Sequence, residues 1–316
     1  MFKKNKSFFL TLLVLFVAIA VFAWQNRSQF KAENRQMPDL AADKTQLLVT
    51  VLPQKQIVER IAGDDFEVTA LVPPGFNPAT YDPTPEEMKI ISQADIYFRI
   101  GHVPFEKVHL DDIQAVNEDL KIVDTSINNE LRMIEEHSHD EENHDEEEEE
   151  HDEEESIDPH LWLAPLMVKQ QATVIKETLD NFYPEKTAIF EENYQDLVNE
   201  LDQLDQDLAI AFAPIKGETM LVYHPAFGYL ADQYGFIQEH IEIEGQEPSI
   251  AQLQEIIEEA KADNVRVVFV QAQFSQDGAK AIAENIDGLV VQINPLNPDY
   301  LGNLKAMAET ISNNLK

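Results

Sequence analysis

The chain has 316 residues, above the usual size of one domain, and its 44% apolar content with only 10 glycines suits packed cores in two lobes rather than a fibrous chain. Lys and Arg number 23 against 59 Asp and Glu, a formal charge of −36, which repels phosphate backbones, argues against a nucleic-acid partner and attracts cations. Cysteine is absent, which excludes disulfides, Cys-based zinc sites, thiol nucleophiles and a lipid-modified N-terminal cysteine.

Lys3, Lys4 and Lys6 precede a charge-free run over residues 8–24, ending in Val21-Phe22-Ala23 with small residues at the cleavage positions. Residues 1–24 are therefore read as a signal peptide or an N-terminal membrane anchor. Residues 25–44 are polar and without apolar periodicity, and read as a tether. The remainder is expected to lie outside the cytoplasmic membrane, periplasmic or held at its outer face.

From residue 46 strands and helices alternate. Strands are predicted over 47–52, 66–72, 94–100 and 121–124, with helices over 54–62 and from Thr84-Pro85-Glu86-Glu87 to about 93. The last has a threonine cap, proline at the first position and acids in the first turn. This βαβ rhythm indicates a parallel α/β lobe over 45–164. Within it, residues 135–155 hold 15 acids and four histidines, His137, His139, His144 and His151, with no basic residue. Such a segment is expected to be disordered and to capture metal ions weakly through exchanging imidazole and carboxylate donors.

Residues 165–211 carry apolar side chains every three or four positions, including Val168, Ala172, Ile175, Leu197, Leu201 and Leu208. Pro184 divides them into two helices, and bridging helices are assigned to 165–213. The second, near 30 residues and about 40 Å, is long enough to run along both lobes. A second α/β lobe over 214–316 follows, with strands at 219–223, 237–243, 265–271 and 288–293 and helices at 226–234, 249–262, 278–285 and 299–315.

Ligand sites in parallel sheets form where strands end. His102, His224, Gln271 and Asn294 fall at such points, and His160 sits in a turn framed by proline just before a helix. Imidazoles from two facing lobes would suit Zn²⁺, Mn²⁺ or Fe²⁺. No His-Glu-x-x-His pair is present to support a metallo-hydrolase, so the chain is not read as an enzyme.

From Leu47 onward the chain resembles the solute-binding proteins of bacterial ABC transporters for zinc and manganese, the metal-binding cluster A-I group. Five segments carry the resemblance: Pro74-Gly75-Phe76-Asn77-Pro78-Ala79-Thr80-Tyr81-Asp82-Pro83-Thr84-Pro85, Asp158-Pro159-His160-Leu161-Trp162-Leu163, Tyr223-His224-Pro225-Ala226-Phe227-Gly228-Tyr229 with Tyr234-Gly235, Gly245-Gln246-Glu247-Pro248-Ser249, and Asn294-Pro295-Leu296. It implies two parallel-sheet α/β lobes joined by a long rigid bridging helix, with the metal site in the cleft between them. It also implies a monomer that binds a divalent metal ion and delivers it to a membrane ABC permease. Zinc is the expected metal and manganese the alternative; a surface metal buffer or adhesin is the alternative role.

The chain departs from the family at two ligand positions, with Ala79 where a histidine is usual and Asn294 where aspartate is common. His160 and His224 carry over as metal ligands. His102 is expected to replace the imidazole missing at Ala79, with Asn294, Gln271 or Glu247 as further donors or as supports for the ligands.

Overall fold

The computed structural model describes residues 44–134, 157–243 and 246–315. The readings made for residues 1–24, for almost all of the tether and for the 135–155 insert with its four histidines lie outside the described residues. Among those described, no helix is long and apolar enough to cross a membrane.

The first lobe is a four-stranded parallel sheet in the order β2-β1-β3-β4, made of β1 (Thr45–Val49), β2 (Phe66–Ala70), β3 (Ile96–Arg99) and β4 (Lys121–Asp124). The central strands β1 and β3 pair Leu48 with Tyr97 and are covered on both faces, so they read as near-continuous apolar runs. Helices α1 (Leu52–Ala62), α2 (Pro85–Ile91) and α3 (Pro104–Val116) connect the strands. The expected helix start at Thr84 is a full capping box: the Thr84 hydroxyl takes the Glu87 amide while the Glu87 carboxylate takes the Thr84 amide.

The bridging region is α4 (Pro165–Phe182), a 3-10 turn at Pro184–Lys186, and the 26-residue α5 (Thr187–Phe212), closed by a second 3-10 turn at Ala213–Ile215. One face of α5 buries Phe190, Leu197, Leu201, Leu204, Leu208 and Phe212. The helix packs on α4, on α1 of the first lobe and on the C-terminal helix α9 (Tyr300–Asn314) of the second.

The second lobe repeats the first. Its strands β5 (Thr219–Val222), β6 (Ile237–His240), β7 (Val267–Gln271) and β8 (Leu289–Ile293) are all parallel in the order β6-β5-β7-β8. Helices α6 (Gly228–Tyr234), α7 (Ile250–Ala262) and α8 (Gln276–Asn285) join them. In each lobe the chain leaves the first strand for one side and returns to the other, so the crevice expected for a ligand lies between β1 and β3 and between β5 and β7.

The helix Pro104–Val116 was not among the predicted elements. Its N-cap, Val103, offers no side-chain acceptor, and only Phe105, Glu106 and Ile113 are buried. Pro104 at the first position and Glu106 in the first turn are its local signals.

Candidate metal centre

His224 lies two residues beyond the end of β5, at the crevice of the second lobe. Gln271, the last residue of β7 and fully buried, grips its backbone at both ends: the His224 amide donates to Oε1 at 3.2 Å, and Nε2 donates to the His224 carbonyl at 2.6 Å. The ring stacks on Phe274 at 5.0 Å between centroids and 21° between planes. Its Nδ1 donates to the buried carboxylate of Glu242, which lies just beyond β6.

His160 occupies the turn before a 3-10 segment, Leu161–Leu163, and is 8% exposed. Asp158 Oδ1 takes both the His160 backbone N–H, at 2.9 Å, and its ring Nδ1–H, at 2.7 Å. The Trp162 indole donates to the Pro295 carbonyl at 3.0 Å, and the Tyr229 hydroxyl donates to the Asp158 carbonyl at 2.9 Å. The segment carrying His160 precedes α4 in the chain, yet these bonds tie it to the second lobe.

The two imidazoles meet edge to face, with Nε2 atoms 3.2 Å apart and ring centroids at 5.1 Å. Each Nδ1 faces a carboxylate oxygen, which places the proton on Nδ1 and leaves the Nε2 lone pair free. Two such lone pairs repel unless a cation lies between them. Two nitrogens on one tetrahedral zinc, each at about 2.05 Å, would be about 3.3 Å apart, close to the observed separation. Burial pushes the His160 imidazole below its ordinary pKa, against the hydrogen bond and charge of Asp158, which keeps the neutral, metal-binding form available.

The other expected site residues are placed differently. His102 lies half-buried in the turn after β3, with a left-handed backbone at φ 63°. The Asn294 side-chain oxygen accepts from Gln273 Nε2 at 2.9 Å and from the Leu296 amide at 3.1 Å. Ala79 and Glu247 are exposed. Among the described residues no three His, Asp or Glu side chains gather as a metal-binding group, so His160 and His224 are brought together and His102 and Glu247 do not join them. Gln271 supports the His224 backbone.

Sequence reasoning did not single out Asp158 and Glu242 as the groups that orient the two imidazoles. Asp158 was within reach, because an acid two residues before a histidine, across a proline, can accept from its ring. For Glu242 the signal was the alternation Gln238, His240, Glu242, three polar residues all buried where a strand should place apolar side chains. Gln238 fixes the same loop by accepting the Phe227 amide at 2.6 Å.

The family model for the periplasmic zinc-uptake complex component A matches residues 47–314. The high-affinity zinc uptake system protein ZnuA of Bacillus subtilis is 29% identical over 267 residues, 82% of this chain and 80% of its own length. A crystal structure of ZnuA aligns at a TM-score of 0.78 and 34% identity, covering 87% of this chain and 100% of that one. A ZnuA lacking residues 138–173, with zinc bound, aligns at 0.78 and 33% identity over 87% and 99%.

Proposed function

The chain belongs to the family of periplasmic zinc-uptake complex components A, and we propose that it captures zinc through the His160–His224 pair and delivers it to the membrane permease of an ABC importer. The observation that carries this is the convergence of two Nε2 lone pairs whose Nδ1 atoms are each held by a carboxylate. Nitrogen donors suit Zn²⁺ better than Mn²⁺, which favours harder, oxygen-rich shells. The family is one of solute-binding proteins, and no catalytic step is assigned.

Zinc requires further donors. Ala79 supplies none, and we assign the third position to His102, brought in by a rearrangement of the turn 100–103, and the fourth to water. What supports His102 is its place in the turn after β3, at the carboxyl end of a first-lobe strand beside the crevice between β1 and β3. On this reading residues 1–24 export or anchor the chain, which acts as a monomer, and the 135–155 insert concentrates zinc without being the delivery site.

Chelator-competition titration of the full chain and of a form lacking residues 135–155 tests this. Deletion should lower the number of bound zinc ions and leave one tight site. His224→Ala should abolish that site, and His102→Ala should weaken it at least about tenfold, roughly 1.4 kcal/mol. Affinity no tighter than about millimolar in the insert-deleted chain would sink the proposal, because an importer must hold a scarce ion.

A further inference from the structure

Residues 131–134 and 157–158, which flank the acidic insert, are pinned together by an antiparallel bridge between Met133 and Ile157 and by the Asp158 amide donating to the Arg132 carbonyl at 2.9 Å. From this pinch the Arg132 side chain reaches two carboxylates. Nη1 donates to Asp158 Oδ2 at 3.2 Å, and Nε donates to Asp232 Oδ2 on α6 at 2.9 Å. The Arg132 backbone amide donates to the Tyr229 hydroxyl at 3.1 Å, and its guanidinium lies 6.0 Å from that ring's centroid. Gly228 makes room for the arrangement: a Cβ there would sit 1.6 Å from Nη1.

Asp158 is fully buried, and its two oxygens are divided between Arg132 and His160. Holding Oδ2 restrains rotation of the carboxylate, and so restrains Oδ1 from turning away from the imidazole it orients. We propose that Arg132 is a positioning residue for zinc: by clamping Asp158 Oδ2 to the second lobe it fixes the aim of His160 Nε2 at His224, and so sets how tightly zinc is held. This rests on the reading of His160 and His224 as the zinc pair. It adds a residue that never touches the metal and sits at the base of the acidic insert.

Arg132 also neutralises a buried carboxylate, a purely structural service, so the test separates the two roles. Arg132→Met removes both; Arg132→Lys keeps the positive charge and loses the planar fork that spans Asp158 and Asp232. In the full chain we expect Arg132→Lys to melt within a few degrees of the unmodified protein when metal-free. It should nonetheless bind the tightest zinc about tenfold more weakly, the lower end of the range for groups that orient metal ligands. The visible absorption of bound Co²⁺ should shift in both variants, reporting an altered ligand geometry. Tightest-site affinity within twofold and an unchanged Co²⁺ spectrum in Arg132→Lys would overturn the inference, even if Arg132→Met failed to fold. His224→Ala run beside them identifies the site: tight zinc binding that survives that change would refute the zinc pair itself, whatever the Arg132 variants do.

Discussion

A carboxyl group taken out of water must be neutralised, solvated by donors or left partly protonated, and Glu106 in the first turn of α3 shows all three forces at once. Burial pushes it up to about 7, while Thr50, the amides of Ile100 and Gly101 and the nearby Arg99 charge pull the other way. Its contacts hold the turn of Gly101 and His102, where a Cβ on Gly101 would meet the Ser126 hydroxyl at 2.6 Å. The unfolded chain ionises this group near 4.5 and the folded chain near 7. Between those values the folded state keeps a proton that the unfolded state has lost, so the stabilising contribution is complete below about 4.5 and lost as pH rises through about 7. The melting temperature of the unmodified protein relative to Glu106→Gln should therefore fall from pH 4.5 to 7 and level off above; parallel profiles for the two proteins would contradict the assignment. At this scale the positions of His160 and His224 were legible as candidates, because strand ends and a proline-framed turn are local features. The pairing of His224 with Glu242 was not, because it exists only once β6 lies beside β5, and the Arg132–Asp158 contact needs the two flanks of a long insert to meet.

Helices and strands with a regular apolar stripe could be read directly, and those without one could not. α5 carries leucines at 197, 201, 204 and 208, all on one buried face, and its existence and approximate length follow from that spacing. α3 presents charged and exposed residues over most of its surface, so its fold is imposed by Phe105, Ile113 and the Glu106 clamp rather than by a pattern. The expected start of α8 at residue 278 lies two residues inside its true start, where the Ser275 hydroxyl takes the Asp277 amide as an N-cap. The energetic weight of the α5 stripe can be measured. Leu201 is fully buried in that stripe, so Leu201→Ala should cost about 2–5 kcal/mol in a denaturant titration. Zinc affinity should stay within twofold, since the pair is fastened by Asp158, Glu242 and Gln271. A large affinity loss would mean that α5 sets the geometry of the site and does more than join the lobes.

At the scale of the whole molecule the question is whether capture of zinc closes the lobes, as a hinge would, or leaves them in place. The connection between them is a continuous helix fastened on both sides. Toward the first lobe, Glu200 accepts from Arg60 Nη2 and Nη1 at 2.6 and 2.7 Å, Lys186 reaches Asp65 at 2.5 Å, and Asn193 donates to the Ile61 carbonyl at 3.1 Å. Toward the second, Lys305 reaches Asp207 at 2.7 Å, Asp205 accepts from Gln233 and Tyr234, and Phe212 packs 5.2 Å from both Tyr234 and Phe236. The Leu301 amide also donates directly across to Gln56 Oε1 at 3.2 Å. Hinges absorb their motion in a few loop residues, and no such loop separates the lobes along α5. Each exposed ion pair contributes little, but a rotation would also have to shear the buried leucine stripe. Both imidazoles, moreover, are already fastened to the second lobe with their Nε2 atoms at a metal-like separation, so the pair needs no lobe closure to form. Small-angle scattering of the metal-free and zinc-loaded chain, with residues 135–155 deleted so that the insert does not mask the comparison, should give nearly superimposable profiles. The radius of gyration should differ by less than about 1 Å. A compaction of several ångströms would show that α5 bends, and the first lobe would then have to supply donors by closing over the pair.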